Sequence, residues 1–253
     1  LNYDNIPNYQ YISEDFRSLY YDPDNTYSVP YFWGNVGIVY NHNNVDPADV
    51  EAEGWNILKD TKYAGHIYMY DSERDAFMTA FKALGYSMNT ENEDEIQAAY
   101  EWLLEMNNTM EPVYVTDEVI DGMANGNKDI AVMYSGDAAY VLDTNEDMSY
   151  WMPTEGTNLW SDAMVIPANA ENPALAHEFI NFMLDDENAL SNTEEVGYTS
   201  TVKSAFEEMK NGTYEGISSY IPQIDNPKNE IFGYQKPKIK QKFAELWTKV
   251  KAK

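Results

Sequence analysis

The sequence predicts an α/β fold. Runs of β-branched and aromatic residues at 29–41, 66–70, 113–115 and 130–134 alternate with stretches of helical period, and turn residues separate them. Composition agrees. The 253 residues are 43% hydrophobic and 14% aromatic, enough for one large domain or two of ordinary size. There is no internal repeat and no low-complexity segment.

Residues 1–28 are rich in Tyr, Asn and Asp and have no strong period, so short helices and loops are expected, with a turn at Asp22-Pro23-Asp24-Asn25. Val29 to Asn41 reads as one or two buried strands, with close backbone approach at Gly34 and Gly37. Asp46-Pro47 opens a helix or turn, and Gly54 to Leu58 is a short helical piece. His66 to Tyr70 is a strand. Asp71 or Ser72 then caps a helix that runs to about Leu84 and stops at Gly85. Glu91 to Met106 is an amphipathic helix with Ile96, Ala99, Tyr100, Leu103 and Leu104 on one face. Val113 to Val115 is a strand, and Thr116 caps a helix that ends near Gly126. Ile130 to Tyr134 is a strand, and Ser135 opens a helix through Leu142. Tyr150 to Pro153 is a strand end, Met164 to Ile166 a strand, and Pro173 to Leu184 a helix with Pro where helices accept it. Lys203 to Met209 and Ile239 to Val250 are further helices.

The net charge is −27, from 43 acidic and 16 basic residues. That argues against nucleic acid, which needs a positive footprint, and favours cationic partners by long-range steering. Lys236 to Lys253 holds seven Lys and one Glu, a net of +6 that leaves −33 on residues 1–235. This tail is read as the outer face of a C-terminal helix, a docking patch, or both. Without Cys, neither disulfides nor thiolate chemistry enter. No apolar run approaches the ~18 residues of a membrane span. Leu1 is not an initiator Met, so a processed or truncated product is expected.

Several chemistries find no support. His42, His66 and His177 are far apart, and His177-Glu178 lacks the second His of a zinc helix, so no metal or other cofactor is expected. Tyr134-Ser135-Gly136 lacks the glycine pattern of a nucleophile elbow. The segment opened by Asp22 lacks the Gly and Glu that complete a calcium loop. With so many carboxylates, a hydrolytic acid pair stays open as an alternative.

Ligands of open α/β sheets bind outside the carboxyl ends of strands. Those ends carry Asp71, Ser72 and Asp75 after one strand, and Tyr134, Ser135 and Asp137 after another. Trp160 and Asp162 precede a third. In extended chain, residues two apart share a side. Trp160 and Asp162 together suit a ligand that is cationic and apolar, the carboxylate pairing its charge and the ring covering its methylenes. A core Trp beside a solvated Asp is the alternative.

Ordered blocks along nearly the whole chain resemble the bacterial polyamine-binding proteins, the periplasmic or lipid-anchored receptors of spermidine/putrescine ABC importers. The blocks are Val29 to Asn41, Asp71-Ser72-Glu73-Arg74-Asp75, Leu84 to Ser87 with Asn89-Thr90, and Met133 to Ala138. Glu155 to Asp162, Ile166 to Ala170, Phe179 to Leu184 and Val196-Gly197-Tyr198 complete them. The resemblance implies a two-lobe, type II periplasmic-binding-protein-like α/β fold with the ligand between the lobes. Lobe one would hold 1–36 and 160–205; lobe two would hold 37–159 and 206–253. Asp162 and Asp75 would take ligand ammonium groups, and Trp160, Tyr134 and Tyr198 would wall the methylene chain. Ser72 lies where some relatives have a second Asp, with Asp71 as its neighbour. Relatives carry further early strands and helices before the position of Leu1, so lobe one is expected to be incomplete. An exposed apolar face that invites dimerisation would follow.

The expected function is that of an extracytoplasmic receptor, not an enzyme. It would hand putrescine or spermidine to ABC-transporter permease subunits, and be periplasmic or extracellular, lipoprotein-anchored in full-length form. The competing readings are a receptor for another cationic or small solute, the carboxylate-pair hydrolase, and a remnant that binds nothing.

Overall fold

A computed structural model describes residues 1–221 and 225–252. The chain divides into two compact units. The first is Leu1–Gly34 with Trp160–Ile221, and the second is Asn35–Leu159 with Pro222–Lys253.

The second unit is built on parallel strands. β2 (Ile67–Tyr70) pairs in parallel with β3 (Val113–Val115) and with β4 (Ile130–Tyr134). The long β1 (Ser28–Asn41) runs antiparallel to β4, Val36 opposite Tyr134, and to β5 (Met148–Trp151). Val36, Ile38 and Val39 of β1 are fully buried, as a strand rich in apolar residues on both faces requires. A close approach sets one residue: a Cβ on Gly37 would lie 2.4 Å from the Tyr150 ring, whose hydroxyl donates to Asn35 Oδ1 at 2.8 Å.

Helices cover this sheet. They are α1 (Pro47–Glu53), α2 (Glu73–Ala83), α3 (Glu93–Met110), α4 (Glu118–Ala124), α5 (Ser135–Thr144) and α9 (Pro237–Lys251). Asp46 caps α1, Ser72 caps α2 and Asn92 caps α3, each side chain accepting from a first-turn N–H that the helix leaves unpaired. Thr116 is not a cap: its hydroxyl and its N–H donate to Glu118. α9 lays Phe243 flat on Phe77 of α2, centroids 4.7 Å apart. The basic tail is the outer face of this helix, with Lys242 and Lys238 pairing with Glu93 and Lys236 with Glu91.

The first unit has a smaller core. Ile6, Ile12, Val29, Ile180, Leu184, Ala189, Val202 and Ala205 fill it. Its first residues form 3-10 turns at Tyr3–Asn5, Pro7–Tyr11 and Glu14–Phe16. Its helices are α6 (Pro173–Met183), α7 (Asp186–Val196) and α8 (Lys203–Asn211). The N-terminal half of β1 pairs here with β7 (Thr199–Ser200), Trp33 opposite Thr199. The Asp22 turn is a structural anchor. Burial raises its carboxyl, but donors from Tyr27, Thr26 and Ser28 outweigh that and hold it below the usual range. α6 buries His177 and Ile180 and leaves Leu175, Phe179 and Phe182 exposed.

The structure corrects four expectations. Residues 206–221 belong to the first unit, not the second. Ala205 and Met209 share the buried side of α8, which packs on α7 and β7 and cannot be cut at 205. The first boundary falls after Gly34 rather than residue 36. β6 spans Asn158–Val165, so Trp160 and Asp162 lie within the strand and not before it. α7, β7 and β8 (Glu230–Ile231) were not expected. β8 pairs in parallel with the start of β6, Asn158 opposite Glu230.

Among the described residues no helix is long and apolar enough to cross a membrane.

Candidate functional site

Each unit carries a carboxylate and aromatic rings that the sequence singled out. In the second unit the site lies at the carboxyl ends of β2 and β4. Parallel pairing of these strands, Ile67 with Ile130 and Tyr68 with Ala131, makes them end side by side. Tyr70 closes β2 and Tyr134 closes β4, and their rings lie 4.7 Å apart at 32°. Ser72 caps α2 by accepting from the Asp75 N–H at 3.4 Å, which places Asp75 in the first helical turn. Asp75 is 4% exposed. Its Oδ2 accepts from the Tyr134 hydroxyl at 2.7 Å. Burial, then the Asp75 charge and its hydrogen bond, push the Tyr134 phenol far above its ordinary range, so it stays a donor. Beside them, Tyr70 donates to Asp137 Oδ2 at 2.8 Å, and the Arg74 guanidinium lies 4.1 Å over the Phe232 ring.

In the first unit, β6 carries Trp160 and Asp162 in strand alternation. The Tyr198 ring meets Trp160 edge to face, centroids 5.1 Å apart, and Phe32 lies 6.1 Å from Tyr198 on its other contact. Tyr198 follows Gly197, whose φ of +81° ends α7 in the left-handed region. Asp162 is exposed, yet desolvation by the protein around it raises its carboxyl above the ordinary range. The neighbouring Ser161 takes a hydrogen bond from Tyr21 at 3.5 Å.

These contacts sort the residues singled out from the sequence. Asp75 and Tyr134 come together in one unit, and Trp160 and Tyr198 in the other, with Asp162 two residues from Trp160. Ser72 serves as a helix cap. Asp71 turns away: its Oδ1 accepts from Lys251 and, at 3.1 Å, from Trp247 Nε1, both on α9. The Lys251 bond holds its carboxyl below the usual range, with burial opposing and Trp247 assisting. Tyr70 was not singled out. Its place as the last residue of a parallel strand was the available signal.

Among the described residues no lysine, arginine or histidine forms an ion pair with Asp75 or Asp162. For Asp75 this matters, because a buried carboxylate without a cation is costly. Among the same residues no three His, Cys, Asp or Glu side chains gather as a metal ion would need.

Residues 1–215 match the family model of the bacterial extracellular solute-binding proteins. The spermidine/putrescine-binding periplasmic protein of Escherichia coli is 28% identical over 247 residues, covering 98% of this chain and 70% of that protein. Among solved structures, the spermidine/putrescine ABC transporter substrate-binding protein PotD of Streptococcus pneumoniae superposes with a TM-score of 0.84 at 34% identity. The match covers 99% of this chain and 76% of that one. The TpPotD lipoprotein of Treponema pallidum gives 0.81 at 26% identity, covering 99% and 77%. The chain thus belongs to the bacterial extracellular solute-binding proteins, a family of receptors and not of enzymes, and has their two-unit α/β fold.

Proposed function

We propose that the chain captures a linear polyamine, putrescine or spermidine, for an ABC importer. Asp75 and Tyr134 of the second unit and Asp162, Trp160 and Tyr198 of the first engage it. The observation that carries this reading is the Asp75 carboxylate, buried beside aromatic rings with a phenol as donor and, among the described residues, no cation paired to it. A ligand ammonium supplies the missing charge, through hydrogen bonds that are strong because they are charge-assisted. Aromatic faces cover the methylenes, at about 0.8 kcal/mol for each CH₂ buried, and attract the ammonium groups. The raised carboxyl of Asp162 fits the same role, since a nearby cation restores the ionised form. The names of the E. coli and S. pneumoniae relatives point to the same ligands. Ser72 contributes by holding the first turn of α2, and Asp71 belongs to the α9 contact.

The proposal extends to partners and place. Permease subunits of the importer receive the ligand, and a lipid anchor holds the full-length protein, as the T. pallidum relative's description as a lipoprotein supports. The exposed Leu175, Phe179 and Phe182 of α6 support self-association of this chain.

Isothermal titration with putrescine and spermidine, at low and moderate salt, tests the reading. Micromolar or tighter binding that Asp162→Asn removes is expected. Silence from this chain, and again from one extended at its N-terminus, would sink it.

A further inference from the structure

Tyr70 is 5% exposed and meets the β4–α5 junction at three points. Its hydroxyl donates to Asp137 Oδ2 at 2.8 Å, in the first turn of α5. The same oxygen accepts from the Tyr134 backbone N–H at 3.4 Å, where β4 passes into α5. Its ring packs on the Tyr134 ring. Tyr134, so held by main chain and ring, donates to Asp75 at 2.7 Å. Tyr134 donates twice: its N–H to the Tyr70 oxygen, whose own hydroxyl donates on to Asp137, and its hydroxyl to Asp75. Asp137 can hold its end because an acid in a first helical turn faces the positive end of the helix dipole. One phenol thereby bridges two neighbouring strand ends.

We infer that Tyr70 is a positioning residue for the ligand site: through Asp137 and the Tyr134 N–H it fixes the Tyr134 phenol against Asp75. Its role is specific to its oxygen. The ring alone would preserve the packing but would leave the Tyr134 amide and the Asp137 carboxylate without that partner. A phenol free to leave Asp75 makes the carboxylate a looser target, and binding then carries the added cost of ordering it. For its binding arm the inference rests on the polyamine reading of Asp75 and Tyr134.

Tyr70→Phe tests it by two readouts. The first needs no ligand. With carbon-13 at the tyrosine Cζ, the Tyr134 resonance is identified by its absence in Tyr134→Phe. In Tyr70→Phe that resonance is expected to shift or broaden while the melting temperature stays within a few degrees. An unmoved resonance overturns the inference whether or not putrescine binds. The second is a double-mutant cycle by putrescine titration. Tyr70→Phe is expected to weaken binding about tenfold, as one lost net hydrogen bond would. Adding Tyr70→Phe to Tyr134→Phe should cost nothing further, since Tyr70 acts through Tyr134. Additive losses would overturn the positioning role. A wild-type chain silent toward putrescine counts against the polyamine reading alone, and the resonance then decides for Tyr70.

Discussion

Asp75→Asn separates binding from folding, because the two respond in different directions. The substitution keeps the shape of the side chain and an acceptor for the Tyr134 hydroxyl, now 2.7 Å from a carboxylate oxygen. It removes a charge that is 4% exposed and, among the described residues, has no cation paired to it. For the unliganded fold three effects compete. Relief of an uncompensated buried charge stabilises. Replacing a charge-assisted hydrogen bond by a neutral one costs about 1 kcal/mol. Loss of an acid from the first turn of α2 costs about 0.3–1 kcal/mol more. The net change should fall within about 1 kcal/mol of zero, a shift in melting temperature of roughly 2–4 °C at most. For binding nothing offsets the loss. Removing one partner of a buried, hydrogen-bonded charge pair costs about 2–5 kcal/mol, so the dissociation constant should rise by at least about thirtyfold. Titration calorimetry with putrescine and a thermal melt without it make the measurement. Binding within threefold of the parent would refute the reasoning. So would a collapse of the fold, which would make Asp75 a structural residue.

Two further outcomes are expected. Polyamine binding should fade as pH falls through the raised pKa of Asp162, higher than an ordinary Asp would give, because protonation removes the charge that holds the ammonium. Asp162→Asn should abolish the binding at every pH of a titration series, so that no acid limb remains. Asp71→Asn should leave binding unchanged. It should also remove a small part of the acid denaturation seen by circular dichroism: the depressed Asp71 pKa contributes stability above the unfolded value, lost as pH falls through the folded one. Both side chains of the Asp71–Lys251 pair are about a third exposed, so solvent screening keeps that part small.

The sequence by itself determined the elements whose signals lie within a few residues. The β-branched and aromatic run at Val29 to Asn41 marked β1 as one strand or two, Asp71 or Ser72 before it and Gly85 after it marked α2, and the stretch from Ile239 to Val250 marked α9. The strand-end rule placed Asp75 and Tyr134 at junctions of the second unit, and the spacing of Trp160 and Asp162 marked candidates in the first. Local signals were too weak elsewhere. α7 buries only Ala189 and Thr193, so its apolar period is faint, and β7 and β8 are two residues long. The tertiary structure decided where each carboxylate is engaged. Asp71 and Asp75 are four residues apart and look alike in sequence. Lys251, 180 residues further on, takes one, and Tyr134 meets the other across 59 residues. It also made Tyr70 the link between Asp137 and Tyr134, and carried α8 into the first unit. Each of these is a contact between distant residues, and its energy depends on distance and burial that exist only once the chain has folded.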